Sequence, residues 1–146
     1  MNRLIALSLA IAPLLASCTK SNEKYAESIV IEVTTPTPRG EITRSDITIS
    51  DADKIGVVVG CLTDFNDKSA HSNVAGGWMA TAVMRIAYSD KSKREVVTDL
   101  KVWNESGKGD GDHPVDEKLG PLLAELFEQS GADPDLLAVL RKAGEY

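Results

Sequence analysis

Two cysteines, two histidines and seven aromatic side chains (two Trp, three Tyr, two Phe) in 146 residues are a thin supply of reactive and bulky groups. His71 has no cysteine or second histidine at ligand spacing, which argues against a zinc site of the usual pattern. The three glycines between Glu105 and Pro114 fit neither phosphate-loop pattern. Asp110 and Asp112 in that loop lack the further oxygen ligands and the terminal Glu of an EF-hand. Asp112-His113 suggests at most an acid-base pair, and no motif places a serine or cysteine nucleophile beside it. The 16 basic residues form no cluster and are outnumbered by 22 acids, so the formal net charge is -6. An acidic surface without a basic stripe argues against nucleic acid as a partner, because each phosphate contact requires a cation. The longest apolar run, Leu4 to Leu15, is too short to remain in a bilayer as a spanning helix, and no second run approaches that length.

That run has the form of an export signal: Asn2-Arg3 supplies one positive charge, the apolar core follows, and small residues close it. It ends on Leu15-Ala16-Ser17-Cys18, which resembles the lipobox of bacterial lipoproteins, a leucine, a small or branched residue, then Gly, Ala or Ser before the cysteine. The resemblance implies that the Cys18 thiol receives a diacylglyceryl group, that signal peptidase II cuts between Ser17 and Cys18, and that the freed amine is acylated. It implies membrane attachment through lipid, and Thr19 in place of Asp after the cysteine favours the outer membrane, facing the periplasm, in a diderm bacterium. The other reading of the same residues is an ordinary secretory signal with an incidental cysteine near its end. Residues 1–17 are absent from the mature chain on the lipobox reading; they carry Arg3 and no acid, so removing one positive charge takes -6 to -7.

The mature body is long enough for one domain with a real core and too short for two. Residues 18–27 read as the lipidated cysteine and a polar tether, with Tyr25 solvated or packed on the domain, and residues 28–146 as a single α+β domain. Ser28 to Thr34 alternates β-branched residues and predicts a strand, and Ile42 to Ile49 predicts a second, pairing with the first as a hairpin. Ile55, Val58, Val59 and Leu62 recur at helical spacing, so a helix is expected from Asp51 to Phe65 with Ser50 or Asp51 as its cap. Trp78 to Tyr88 and Arg94 to Asn104 predict a second hairpin, its turn at Ser89 to Lys93. Asp116 and Asp133 are helix-start signals, Gly131 is a stop, and Pro121 is either a first-turn residue or a kink. The expected fold is therefore ββαββαα, an antiparallel sheet of about four strands with helices on one face.

In the strand Arg94 to Asn104, Val96, Thr98, Leu100 and Val102 face the core, while Glu95, Val97, Asp99, Lys101 and Trp103 share the half-polar face. Trp103 then anchors a candidate binding patch with Glu95, Asp99 and Lys101, continued by Asp110 and Asp112, and Trp103→Ala is expected to weaken binding with little effect on melting. The alternative is that Trp103 packs beneath the following loop. Cys61 reads as a small buried hydrophobe, or else as a reactive or partner-bonded thiol. No cofactor and no metal is implied. The expected function is a small envelope-anchored module that binds or inhibits a basic protein; by analogy alone, lipoproteins that inhibit lysozymes or confer immunity have this size and anchoring. An enzyme acting on envelope material, or a structural subunit of an envelope complex, is the alternative.

Overall fold

The computed structural model describes residues 24–36, 40–66, 81–106 and 112–143. Leu15 to Cys18, read above as resembling a lipobox, and His71, Trp78 and Asp110 lie outside these residues. Six strands form one antiparallel sheet: β1 (Ala26–Pro36), β2 (Ile42–Ile49), β3 (Thr81–Tyr88), β4 (Lys93–Thr98), β5 (Val102–Glu105) and β6 (His113–Pro114), in the order β2-β1-β3-β4-β5-β6. Three helices accompany them: α1 (Ala52–Gly60), α2 (Leu119–Gln129) and α3 (Pro134–Lys142). The class is α+β. The sheet has six strands where about four were expected.

β1 alternates Ile29, Ile31 and Val33 inward, each fully buried, and it lies between β2 and β3 rather than at an edge. It begins at Ala26, so the polar stretch read as a tether ends there; Tyr25, just before it, is 63% exposed. Ile29 pairs with both Ile49 and Ile86, and Ile31 with both Ile47 and Met84, which assembles an apolar inner face across three strands. Asp90 shapes the β3–β4 turn by accepting from the Ser92 hydroxyl at 2.5 Å and its backbone N–H at 2.9 Å. Those two bonds hold the exposed Asp90 carboxyl below the usual carboxylate range.

The helices cover the inner face, and Leu119, Leu123, Phe127, Leu136 and Leu140 join Ile29, Met84 and Val96 in one core. Asp51 caps α1, its carboxylate accepting from the Lys54 N–H at 3.0 Å. Pro121 falls in the first turn of α2, where its missing N–H has no intrahelical acceptor to lose. Gly131 closes that helix at φ +79, with its own N–H on the Glu128 carbonyl and the Ala132 N–H on the Phe127 carbonyl, a Schellman ending that only glycine adopts without strain. Asp133 caps α3 by accepting from Asp135 N–H at 2.8 Å.

Two elements differ from the sequence reading. Helix α1 ends at Gly60 rather than near Phe65; Leu62 leaves the helix to bridge Val115, and Asp64 takes φ 58. The second difference matters more. Arg94 to Asn104 is not one strand: it breaks after Thr98 and reverses. The Asp99 carboxylate accepts from the N–H groups of Lys101 and Val102, both at 2.9 Å, and Thr98 Oγ1 donates to the Val102 carbonyl at 2.7 Å while accepting from Leu100 N–H at 2.9 Å. Leu100 sits at φ 73 in the turn. Side chains this short and polar, bonding to backbone two to four residues on, are what turn an extended segment into a reversal.

Candidate binding surface

The reversal decides where Trp103 goes. Because β5 runs back along β4, Trp103 stands opposite Thr98 and Asn104 opposite Val97. Directly opposed residues share a face of the sheet, so Trp103 joins Thr98 and Val96 on the inner face, away from Glu95 and Val97. Trp103 is only 3% exposed. Its ring lies 4.6 Å from that of His113, stacked at 25°, and 5.6 Å from that of Phe65, and its indole N–H donates to the Thr63 carbonyl at 2.9 Å. The expectation that Trp103 anchors an exposed patch is therefore corrected: its ring is buried against His113 and Phe65.

Arg94 closes this corner from the side. Its guanidinium lies 3.7 Å from the centre of the Phe65 ring, donates to the Phe65 carbonyl at 2.9 Å and pairs with Glu105 at 2.9 Å. Thr63 hydroxyl donates to the Pro114 carbonyl, so the turn after α1 is fastened to β6. His113 is 6% exposed rather than solvated, and its Nδ1 has no hydrogen-bond partner among the described residues. Cys61 lies nearby in the core at 6% exposure, and burial, with the Asp116 carboxylate as a lesser cause, raises its thiol above the ordinary value.

That raised value has a direction. A thiol held neutral in the folded state supports stability below about 9.0, its ordinary value, and that support is lost as pH rises towards the folded value and unfolded chains ionise. Cys61→Ser is expected to flatten the alkaline loss of stability in denaturant melts taken above neutral pH. The native thiol is expected to react slowly with a thiol reagent and rapidly after denaturation; fast native labelling would place Cys61 among reactive thiols.

Of the remaining patch residues, the described ones, Glu95, Asp99, Lys101 and Asp112, lie on or beside the outer face, which no helix among the described residues covers. Glu95 pairs with Arg85 at 2.9 Å, Arg85 reaches Glu32 at 3.8 Å, and Glu32 pairs with Arg44 at 3.2 Å, a run of alternating charge across four strands. Asp99 is occupied by the turn, Lys101 uses its backbone to pair with Val115, and Asp112 accepts from the Asn104 amide at 3.1 Å. Asp99 and Asp112 nevertheless come together at a cleft of about 220 Å³ with Thr81, Val97, Val102 and Asn104. Val102 is buried outside the main core, as a residue of this second face. The structure thus unites Asp99 and Asp112, ties Glu95 to Arg85 and removes Trp103. Thr81 and Asn104 were not nominated from sequence, and Val102, expected to face the core, lines this cleft instead. The period of β3 already put Thr81, Val83 and Arg85 on one side, but only the reversed β5 brings Asn104 to them.

Among the described residues no three His, Cys, Asp or Glu side chains converge as metal ligands do. No helix among them is long and apolar enough to cross a membrane. Comparison with protein families, with curated proteins and with solved structures gives no match.

Proposed function

We propose that this chain is a lipid-anchored protein of the bacterial cell envelope whose domain binds a basic protein partner on the outer face of its sheet. Attachment rests on Leu15-Ala16-Ser17-Cys18, with the outer membrane favoured in a diderm cell. The observation that carries the binding half is the outer face itself, which no helix among the described residues covers. Sheets of this kind hide one side under helices and leave the other to water, and here the open side ends in a cleft where two carboxylates flank Val97 and Val102. Partly apolar concavities edged by acids suit a lysine- or arginine-bearing partner, with the acids speeding encounter more than they add affinity.

The test is capture from detergent-solubilised envelopes with the full lipidated protein, followed by the same capture with Val97→Arg. That substitution places bulk and positive charge in the cleft at a half-buried outer position. Binding of a basic partner is expected to fall at least tenfold, about 1.4 kcal/mol, with the melting point nearly unchanged. Equal capture by Val97→Arg, or capture only of acidic proteins, would remove the outer face from the binding reading.

A further inference from the structure

β2 ends the sheet, and its outer edge of backbone N–H and C=O groups pairs with no strand among the described residues. An edge of eight residues is unusually open: natural sheets shorten such strands, set proline or lysine in them, or cover them, because a bare edge recruits another strand. Ile42-Thr43-Arg44-Ser45-Asp46-Ile47-Thr48-Ile49 has neither proline nor lysine. Its outer side carries Ile42, Arg44, Asp46 and Thr48, and Ile42 is 74% exposed.

The charges on that side are not balanced within one chain. Asp46 stands directly opposite Glu32 in the β1–β2 register, and like charges so placed repel. The cation next to them, Arg44, reaches Glu32 at 3.2 Å through one guanidinium nitrogen and stays 69% exposed, and Asp46 makes no ion pair among the described residues. A neighbour across the free edge would relieve Asp46 if it presented a cation there.

We propose that the occupant of this edge is β2 of a second copy of the same chain, paired antiparallel about Ser45. In that register Arg44 of each copy faces Asp46 of the other, so two reciprocal opposite-charge pairs form at once. Ile42 faces Thr48, Thr43 faces Ile47, and Ser45 faces Ser45 on the two-fold axis. Shifting the register by one step within the same face sets Arg44 against Arg44 or Asp46 against Asp46. The charges therefore select one alignment, the self-complementary kind that a two-fold interface requires. On the inner side a groove of about 260 Å³, lined by Ile47, Ile49, Lys54, Leu126 and Ser130, leaves room beside the edge. Glu41 of the copy, opposite Ile49, enters on the side of Lys54. The result is a continuous twelve-stranded sheet whose helices lie on one face and whose acidic clefts lie on the other. This pairing does not depend on the proposed partner-binding role of the outer face.

Ser45→Cys tests the geometry in the full-length protein in its native membranes. Opposed Cα atoms in an antiparallel pair lie about 4.5–5.5 Å apart, inside the range a disulfide bridges. Mild oxidation is expected to give a dimer on non-reducing gels that the parent chain does not give. Arg44→Asp and Asp46→Arg, each in the Ser45→Cys background, are each expected to lower that yield about tenfold, since each sets like charges opposite one another twice. Mixing the two variants, differently tagged, restores attraction at both pairs, and the cross-linked hetero-pair should return to near the parent yield. Thermal melts establish that both variants are folded before mixing. The proposal fails if Ser45→Cys gives no dimer, if it cross-links only to another protein, if the charge variants dimerise as well as the parent, or if the mixture does not recover.

Discussion

Trp103→Ala is expected to destabilise the domain by about 3–5 kcal/mol, the usual cost of emptying a large aromatic site in a core. For a domain of this size that is a fall in melting temperature on the order of 15 °C. Three losses add at one position. The indole is 3% exposed, so its whole surface leaves apolar contact; the ring no longer stacks on His113 at 4.6 Å or meets Phe65 at 5.6 Å; and the Thr63 carbonyl loses its donor at 2.9 Å. His113, whose Nδ1 has no hydrogen-bond partner among the described residues, loses the ring it stacks on. Trp103→Phe should retain most of the stacking and lose the N–H bond, and so cost about 1–3 kcal/mol. Thermal and denaturant melts of the two variants check the order. A Trp103→Ala domain that melts within a few degrees of the parent would return Trp103 to the surface.

Cys18→Ser is expected to abolish incorporation of an acyl-chain analogue completely and to remove the protein from the stably anchored membrane fraction. The thioether needs a soft nucleophile, and a serine hydroxyl at the same place does not form it. The size of the effect follows from the chain arithmetic of lipids: each buried methylene contributes about 0.8 kcal/mol, so one acyl chain holds a protein marginally while two or three hold it stably. Metabolic labelling and fractionation of washed membranes read the two consequences separately. Persistence of both label and anchoring in the variant would show that the lipobox reading is wrong, while the fold and the surfaces described above stand apart from that outcome.

Elements that rest on contacts within a few residues were legible before any coordinates. Alternating isoleucines and valines named β1 and β2, with β2 bounded at Ile42 and Ile49 as expected. Asp51 and Asp133 announced helices because a short carboxylate reaches an unpaired N–H two or three residues on. Gly131 announced an ending because the αL position penalises any side chain. The resemblance of Leu15-Ala16-Ser17-Cys18 to a lipobox is a linear pattern and requires no fold to be visible.

What the tertiary structure decided is everything that depends on which segments lie side by side. Periodicity carried Arg94 to Asn104 as one strand, since alternation does not register a reversal; the turn exists because Thr98 and Asp99 bond across it, and it moves Trp103 from the outer face to the core. Glu95, Asp99 and Trp103 were close in sequence and are divided by that turn, while Asp99 and Asp112 are brought to one cleft by β5 and β6. Strand order was equally hidden: nothing local to β1 or β2 says which of them ends the sheet. By itself the sequence determined most of the elements, though not the break between β4 and β5 or the short β6, and the charge they carry. The tertiary structure alone decided which faces and edges those charges occupy, because a side chain's face is set by the parity of its pairing with a distant strand.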